Sequence, residues 1–203
     1  MGQPNDAEFQ KRVLRACLGL LEAESGPVLE DYLEDIPAGS AEYDFTGMSC
    51  PIDLHPVPSN DSELTNSLVQ EMGQIAPWYE LAVDQRKRTT VGISELDILD
   101  AARFLIDFIE DPSSPSPRPE MEVGPMLKHT CEDLKAFYSE AASAQPGMSS
   151  SLAVENWLWN ETVLGGILWK LREEHLDAPD TEIRHLAQRN LIPDRQLQYK
   201  GAP

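Results

Sequence analysis

The feature that most constrains the fold is the helical spacing of apolar residues, which recurs along most of the chain. A first stripe lies between about residues 6 and 24, and similar stripes return at about 64–82, 94–110, 127–141, 152–176 and 181–190. Alternation of period two, which is typical of strands, never extends beyond a few residues. The sequence therefore predicts an all-α protein, an irregular helical bundle of about six helices.

The chain of 203 residues is predicted to form a single helical domain over residues 1–203. Hydrophobic residues make up 41% and charged residues 25%, which suffices for a buried core. A long irregular segment at 36–61 contains four prolines, and we expect it to be mobile or anchored on a partner. A Pro/Ser-rich stretch at 111–119 predicts an exposed loop.

Two local signals predict helix boundaries inside the domain. Ser94, with Asp97 three residues later, resembles a capping box and predicts that a helix starts there. Pro77 lacks the amide proton that an α-helix needs, so it predicts a kink or an end in the helix around it.

The formal net charge of −19 limits the kinds of partner. Such a field repels nucleic acid and anionic membranes, and it favours solubility and a basic partner or a cation. We expect the partner to be another protein. The N-terminus lacks the pattern of a secretory signal, and no apolar run approaches the ~20 residues that span a bilayer. Three widely spaced cysteines do not resemble a disulfide framework, so a cytoplasmic protein is expected.

Candidate chemistry centres on Cys50 and His55, because motifs for phosphate, zinc or serine-hydrolase sites are absent. A thiolate and an imidazole on one irregular segment could bind a metal, or act as a nucleophile and its base. Cys17 and Cys131 fall on predicted apolar helical faces. Cys50 is therefore expected to be the most reactive thiol.

Two further pairs resemble metal sites only in part. His129 and Cys131 project about 200° apart on a helix, so they cannot readily chelate one ion. Glu182 and His185 have the Glu-x-x-His spacing of di-iron bundles, but the motif occurs once and such sites need it twice.

Glu161 is the most unusual residue of the segment 152–176. If that segment is one helix, Glu161 lies within a stripe of apolar residues, where a carboxylate needs a partner. We expect it to be at least half buried and in contact with a polar group. Trp157, Trp159 and Gly165 lie on the same helix, and they are predicted with Glu161 to contact a partner or ligand.

These observations favour a non-enzymatic accessory protein that docks a partner or assists a larger complex, as a chaperone does. One alternative is a metal- or thiol-dependent redox enzyme or carrier that uses Cys50, His55 and Glu161. Another is a helical pocket for an apolar small molecule. The sequence does not identify a cofactor.

Overall fold

The protein is an all-α bundle in a computed structural model that describes residues 7–34, 62–145 and 151–201. Strands are absent from those ranges, and eight α-helices occur in them, against about six expected. They are α1 (Ala7–Gly19), α2 (Glu63–Arg86), α3 (Ile98–Glu110), α4 (Val123–Ala142), α5 (Ser151–Glu161), α6 (Val163–His175), α7 (Thr181–His185) and α8 (Asp194–Gly201). The predicted fold class is confirmed.

Helix α4 lies at the centre of the bundle and packs against α2, α3, α5 and α7. Its core-facing residues include Leu127, Cys131, Leu134 and Tyr138, all fully buried. Because α4 contacts neighbours on several sides, its buried surface is wider than a single stripe. The prediction of a buried Cys131 is confirmed.

The predicted helix over 152–176 is two helices, α5 and α6, separated by Thr162. Thr162 has an extended backbone, and its side chain accepts a hydrogen bond from the Gly165 amide, 2.9 Å away. Its hydroxyl also donates to the Leu158 carbonyl at 2.6 Å, which closes the end of α5. A threonine that caps the second helix in this way breaks the continuous register that the apolar pattern suggests.

The polar tail also contains a helix that the sequence pattern does not reveal. Leu191 and Ile192 are buried immediately before α8, and Gln196 within α8 is 2% exposed. Its amide donates to the Glu155 side chain of α5 at 2.8 Å. Tertiary contacts therefore hold a segment of low mean hydropathy in the fold.

Neither signal marks a helix boundary at its own position. Asp97, not Ser94, caps α3 by accepting a hydrogen bond from the Leu99 amide. Helix α2 continues through Pro77, because buried residues before and after it, Ile75 and Ala82, belong to one packed helix. Their packing outweighs the single hydrogen bond that proline removes.

Candidate docking surface

The two residues of the predicted metal or thiol site, Cys50 and His55, lie outside the described residues. Cys131 is buried, and burial raises the pKa of its thiol to about 12, so it is unreactive at neutral pH. The predicted burial of Cys17, however, is wrong. Cys17 is exposed on α1, because that face of the helix is not covered.

Glu161 is exposed, so its predicted burial is also wrong. The projection assumed a continuous helix, whereas α5 ends at Glu161 and the chain changes direction at Thr162. Because Glu161 is the last residue of α5, its side chain does not lie on the apolar face that α6 forms. The expected role of Glu161 as a buried polar contact is therefore not supported.

Glu71 occupies the role that the sequence pattern assigned to Glu161. This partly buried carboxylate on α2 accepts hydrogen bonds from the Tyr138 hydroxyl at 2.7 Å and from the first two amides of α6, Val163 at 2.7 Å and Leu164 at 3.2 Å. A carboxylate at a helix N-terminus satisfies unpaired amides and interacts favourably with the helix dipole. Glu71 therefore joins α2, α4 and α6 in one polar network.

Trp157, Trp159 and Gly165 belong to the packing around this network. Trp157 stacks near Tyr138, with ring centroids 6.0 Å apart. Trp159 is 4% exposed, and its carbonyl accepts a hydrogen bond from the Trp169 indole. A side chain at Gly165 would overlap the Leu158 carbonyl oxygen. Trp157 holds α5 against α4, and Trp159 and Gly165 hold α5 against α6. Their predicted contact with a partner or ligand stays a prediction.

The other candidate residues do not come together as a chemical site in the part of the chain that the structure describes. Throughout 7–34, 62–145 and 151–201, no cluster of three or more His, Cys, Asp or Glu side chains could hold a metal ion. Glu182 and His185 are both exposed. The His129 ring is partly buried, and its Nδ1 is buried without a hydrogen-bond partner. A shallow surface cavity between α3 and residues 111–117 is lined mainly by carboxylates and prolines.

The connection between α2 and α3, residues 87–97, is held by two carboxylates of α4. Asp133, 1% exposed, accepts hydrogen bonds from the amides of Gly92, Ile93 and Ser94 at 2.7–3.0 Å and from the Ser94 hydroxyl. Glu140 accepts from the Thr90 amide at 2.7 Å. These bonds fix a connection whose backbone has positive φ at Lys87, Gly92 and Glu95.

The same bonds predict a loss of stability in acid. Burial raises the pKa of Asp133 and of Glu140, but their hydrogen bonds outweigh burial and hold both pKa values below the ordinary range. A lowered pKa in the folded state contributes stability above the unfolded-state pKa of about 4, and this stability is lost as pH falls through the folded-state pKa. We expect urea unfolding to show a smaller free energy at about pH 3.5 than at about pH 7.

The matched variant for this prediction is Asp133→Asn, which removes one titrating group from a chain with many carboxylates. Its unfolding free energy should change less between the two pH values than that of the wild type. Equal pH dependence in the two proteins would show that Asp133 has an ordinary pKa.

The surface best suited to bind another molecule is the N-terminal arm, defined here as residues 7–34. The arm consists of α1, a short 3-10 turn at Leu20–Glu22 and an irregular segment at 23–34. Phe9 is the only buried residue between positions 7 and 34, and it lies outside the core cluster of the bundle. The arm therefore leaves most of its apolar surface accessible.

A small cluster ties the end of the irregular segment back to α1. The Arg12 guanidinium forms an ion pair with Glu34 and lies over the Phe9 ring, 5.5 Å from its centroid. The Tyr32 ring meets Phe9 edge to face, and its hydroxyl donates to Glu34 at 2.7 Å. Hydrogen bonds from Arg12 and Tyr32 lower the pKa of Glu34 to about 2, so it stays ionised. The arm is thus a helix with a returning segment.

Exposed apolar side chains are concentrated in this arm. Among the described residues, nine large hydrophobic side chains are exposed, and seven of them lie between positions 14 and 33. They are Leu14, Leu18, Leu21, Val28, Leu29, Tyr32 and Leu33, whereas Ile93 and Leu99 are the two that lie in the rest of the described chain. Single exposed apolar residues are ordinary, whereas seven within 20 positions of one segment are unusual for a folded chain.

The chain matches no known protein family, no curated protein and no solved structure. Of the helices described, none has the length and apolar character that crossing a membrane requires.

Proposed function

We propose that the protein is a helical docking protein that binds a partner protein through its N-terminal arm. The observation that carries this proposal is the concentration of exposed apolar side chains at positions 14–33, beside a bundle that buries its own apolar residues. Leu29 and Leu33 are more than nine-tenths exposed, at 92% and 93%. Covering such side chains removes apolar surface from water and supplies free energy for binding.

The charge of the arm restricts the partner that its irregular half accepts. Residues 20–34 contain five acidic and no basic side chains, interleaved with the exposed leucines. A partner surface that combines an apolar groove with a basic rim complements this pattern. An anionic membrane or a nucleic acid is repelled by it, which supports a protein partner.

The proposal predicts that two substitutions in the arm abolish capture of the partner. The double variant Leu18→Glu/Leu29→Glu places charge on both halves of the exposed surface, where a desolvated carboxylate strongly opposes binding. The tagged protein and the variant are compared by affinity capture from extracts of the source cells, with quantitative mass spectrometry. Proteins that bind the arm should be retained by the wild type and lost from the variant.

The control is Ile93→Glu/Leu99→Glu, which makes the same change at the two exposed apolar residues outside the arm. It should retain every specific partner. Amide exchange on a purified complex should slow within residues 7–34. Identical capture by all three proteins, or exchange that slows only in the bundle, would contradict docking through the arm.

A further inference from the structure

The exposed face of α1 has the spacing of a helix that pairs with another helix. Leu14, Cys17 and Leu18 lie on α1, and Leu21 lies in the 3-10 turn that continues it. Leu14 is three and four residues before Cys17 and Leu18, and Leu21 is four and three residues after them, the pattern of a two-helix seam. All four are exposed, with Leu18 at 60% and Leu21 at 82%. We name these four residues the α1 stripe.

Charges beside the α1 stripe are segregated along its length. Lys11 and Arg15 are exposed beside its N-terminal half, whereas Glu22 and Glu24 follow its C-terminal end. The ion pair that Lys11 forms with Glu8 is exposed, and such pairs are weak. One end of the stripe is therefore basic and the other acidic.

We infer that the α1 stripe binds the α1 stripe of a second copy of this chain, with the two helices antiparallel. This inference rests on the proposed docking function and identifies the partner of its helical half. In an antiparallel pair, Leu14 faces Leu21 of the second copy, and Cys17 faces Leu18. Lys11 then lies near the acidic end of the second copy, where Glu22 ends the 3-10 turn and Glu24 follows in the irregular segment, and the two-fold axis repeats each contact.

Charge complementarity selects this arrangement over the alternatives. A parallel pair would place Lys11 beside Lys11 and Glu24 beside Glu24, which is unfavourable. Two copies that each carry −19 repel one another in general. Helix α1 is an exception, with three basic residues and one acidic residue, so it can approach the acidic end of another copy.

The interface of two short helices is small, so the dimer should be concentration-dependent. Stable interfaces commonly bury about 1,600 Å² in total, which is about 800 Å² on each partner. One face of a helix of 13 residues offers less than this area. Analytical ultracentrifugation of the full-length wild type should show a monomer–dimer equilibrium. A monomer at every concentration would overturn the inference.

Leu18→Glu tests whether the dimer uses the α1 stripe. In a two-fold symmetric dimer the substitution replaces a buried leucine in both copies. Dimerisation should therefore weaken by roughly a hundredfold or more. Ile93→Glu, with a comparable exposed aliphatic residue in the bundle, should dimerise as the wild type does. A dimer that survives Leu18→Glu, or that Ile93→Glu disrupts, would place the interface elsewhere.

A charge exchange tests the antiparallel orientation. Lys11→Glu alone and Glu24→Lys alone should each weaken the dimer by roughly tenfold. Each substitution places like charges next to one another at both ends of the pair. The double variant Lys11→Glu/Glu24→Lys should recover most of the loss, since the unlike pairs are restored in reverse. A double variant as weak as the singles would overturn the antiparallel arrangement.

Failure of this inference can be distinguished from failure of the docking function. If the wild type is monomeric while the arm variant still loses captured proteins other than this chain, self-association is overturned and docking stands. If the arm variant loses neither self-association nor any captured protein, both are overturned. A monomer whose stripe sediments with phosphatidylserine vesicles, and fails to do so as Leu18→Glu, would assign the stripe to a membrane surface.

Discussion

Replacing Asp133 with alanine is expected to lower the free energy of unfolding by about 3–5 kcal/mol, the larger end of single-residue effects. The carboxylate accepts hydrogen bonds from three consecutive backbone amides and from the Ser94 hydroxyl, and Ser94 itself is fully buried. Alanine leaves the buried amide and hydroxyl of Ser94 without a partner, and it removes the acceptor of the Gly92 and Ile93 amides, whose bonds are part-buried. Urea unfolding monitored by circular dichroism measures the loss.

Asp133→Asn is the matched control because it preserves the side chain's shape and one acceptor oxygen. We expect its free energy of unfolding to fall by about 2 kcal/mol, which is less than for alanine. The loss arises because the asparagine NH2 group cannot accept hydrogen bonds from the donors that face it. The connection between α2 and α3 should also open first in Asp133→Ala, so the amides of Gly92, Ile93 and Ser94 should exchange faster. If alanine and asparagine were equally mild, the connection would not depend on this carboxylate.

Replacing Gly165 with alanine is expected to destabilise the protein by about 2–4 kcal/mol, although alanine is the better helix former. The added Cβ would overlap the carbonyl oxygen of Leu158, and that carbonyl accepts the Thr162 hydroxyl that closes α5. Relief requires α5 and α6 to separate, and their separation disturbs the packing of Trp159 against Trp169.

The neighbouring Gly166 provides the matched control for this prediction. It is exposed, and a Cβ built there has no neighbouring atom within 4 Å. Gly166→Ala should therefore stabilise the helix by about 0.5–1 kcal/mol. Thermal and urea unfolding of the two variants should move in opposite directions. Equal shifts would mean that the close approach at Gly165 can relax without cost.

The helical period of the apolar residues determined the fold class. Helix α3 shows why, since the apolar stripe at about 94–110 includes Ala102, Leu105, Ile106 and Ile109, and all four are buried. Leu99, at the start of the same stripe, is 36% exposed because α3 begins only at Ile98. Periodicity reports which side of a helix is apolar, but it does not report where the helix starts.

The candidate site was only partly accessible to sequence reasoning. An apolar stripe was recognised between about residues 6 and 24, but its exposure was not, because an amphipathic helix has the same pattern whether its face is covered or free. The buried carboxylates were misplaced for a related reason. Glu161 appeared buried because the projection assumed a continuous helix. Asp133 lies four residues before the buried Phe137, so a helical projection of α4 places both on one face and could have indicated that Asp133 is buried.

The sequence by itself determined that this protein is helical, acidic and capable of burying a core, since period, charge and composition are local or additive properties. Only the tertiary structure decided that Thr162 separates two helices, that Glu71 caps α6, and that the α1 stripe remains open. Glu71 and Val163 are distant in sequence, so their contact forms only after the chain has packed, and it satisfies an amide that follows the break at Thr162. The openness of the α1 stripe depends in the same way on which surfaces the packed bundle covers.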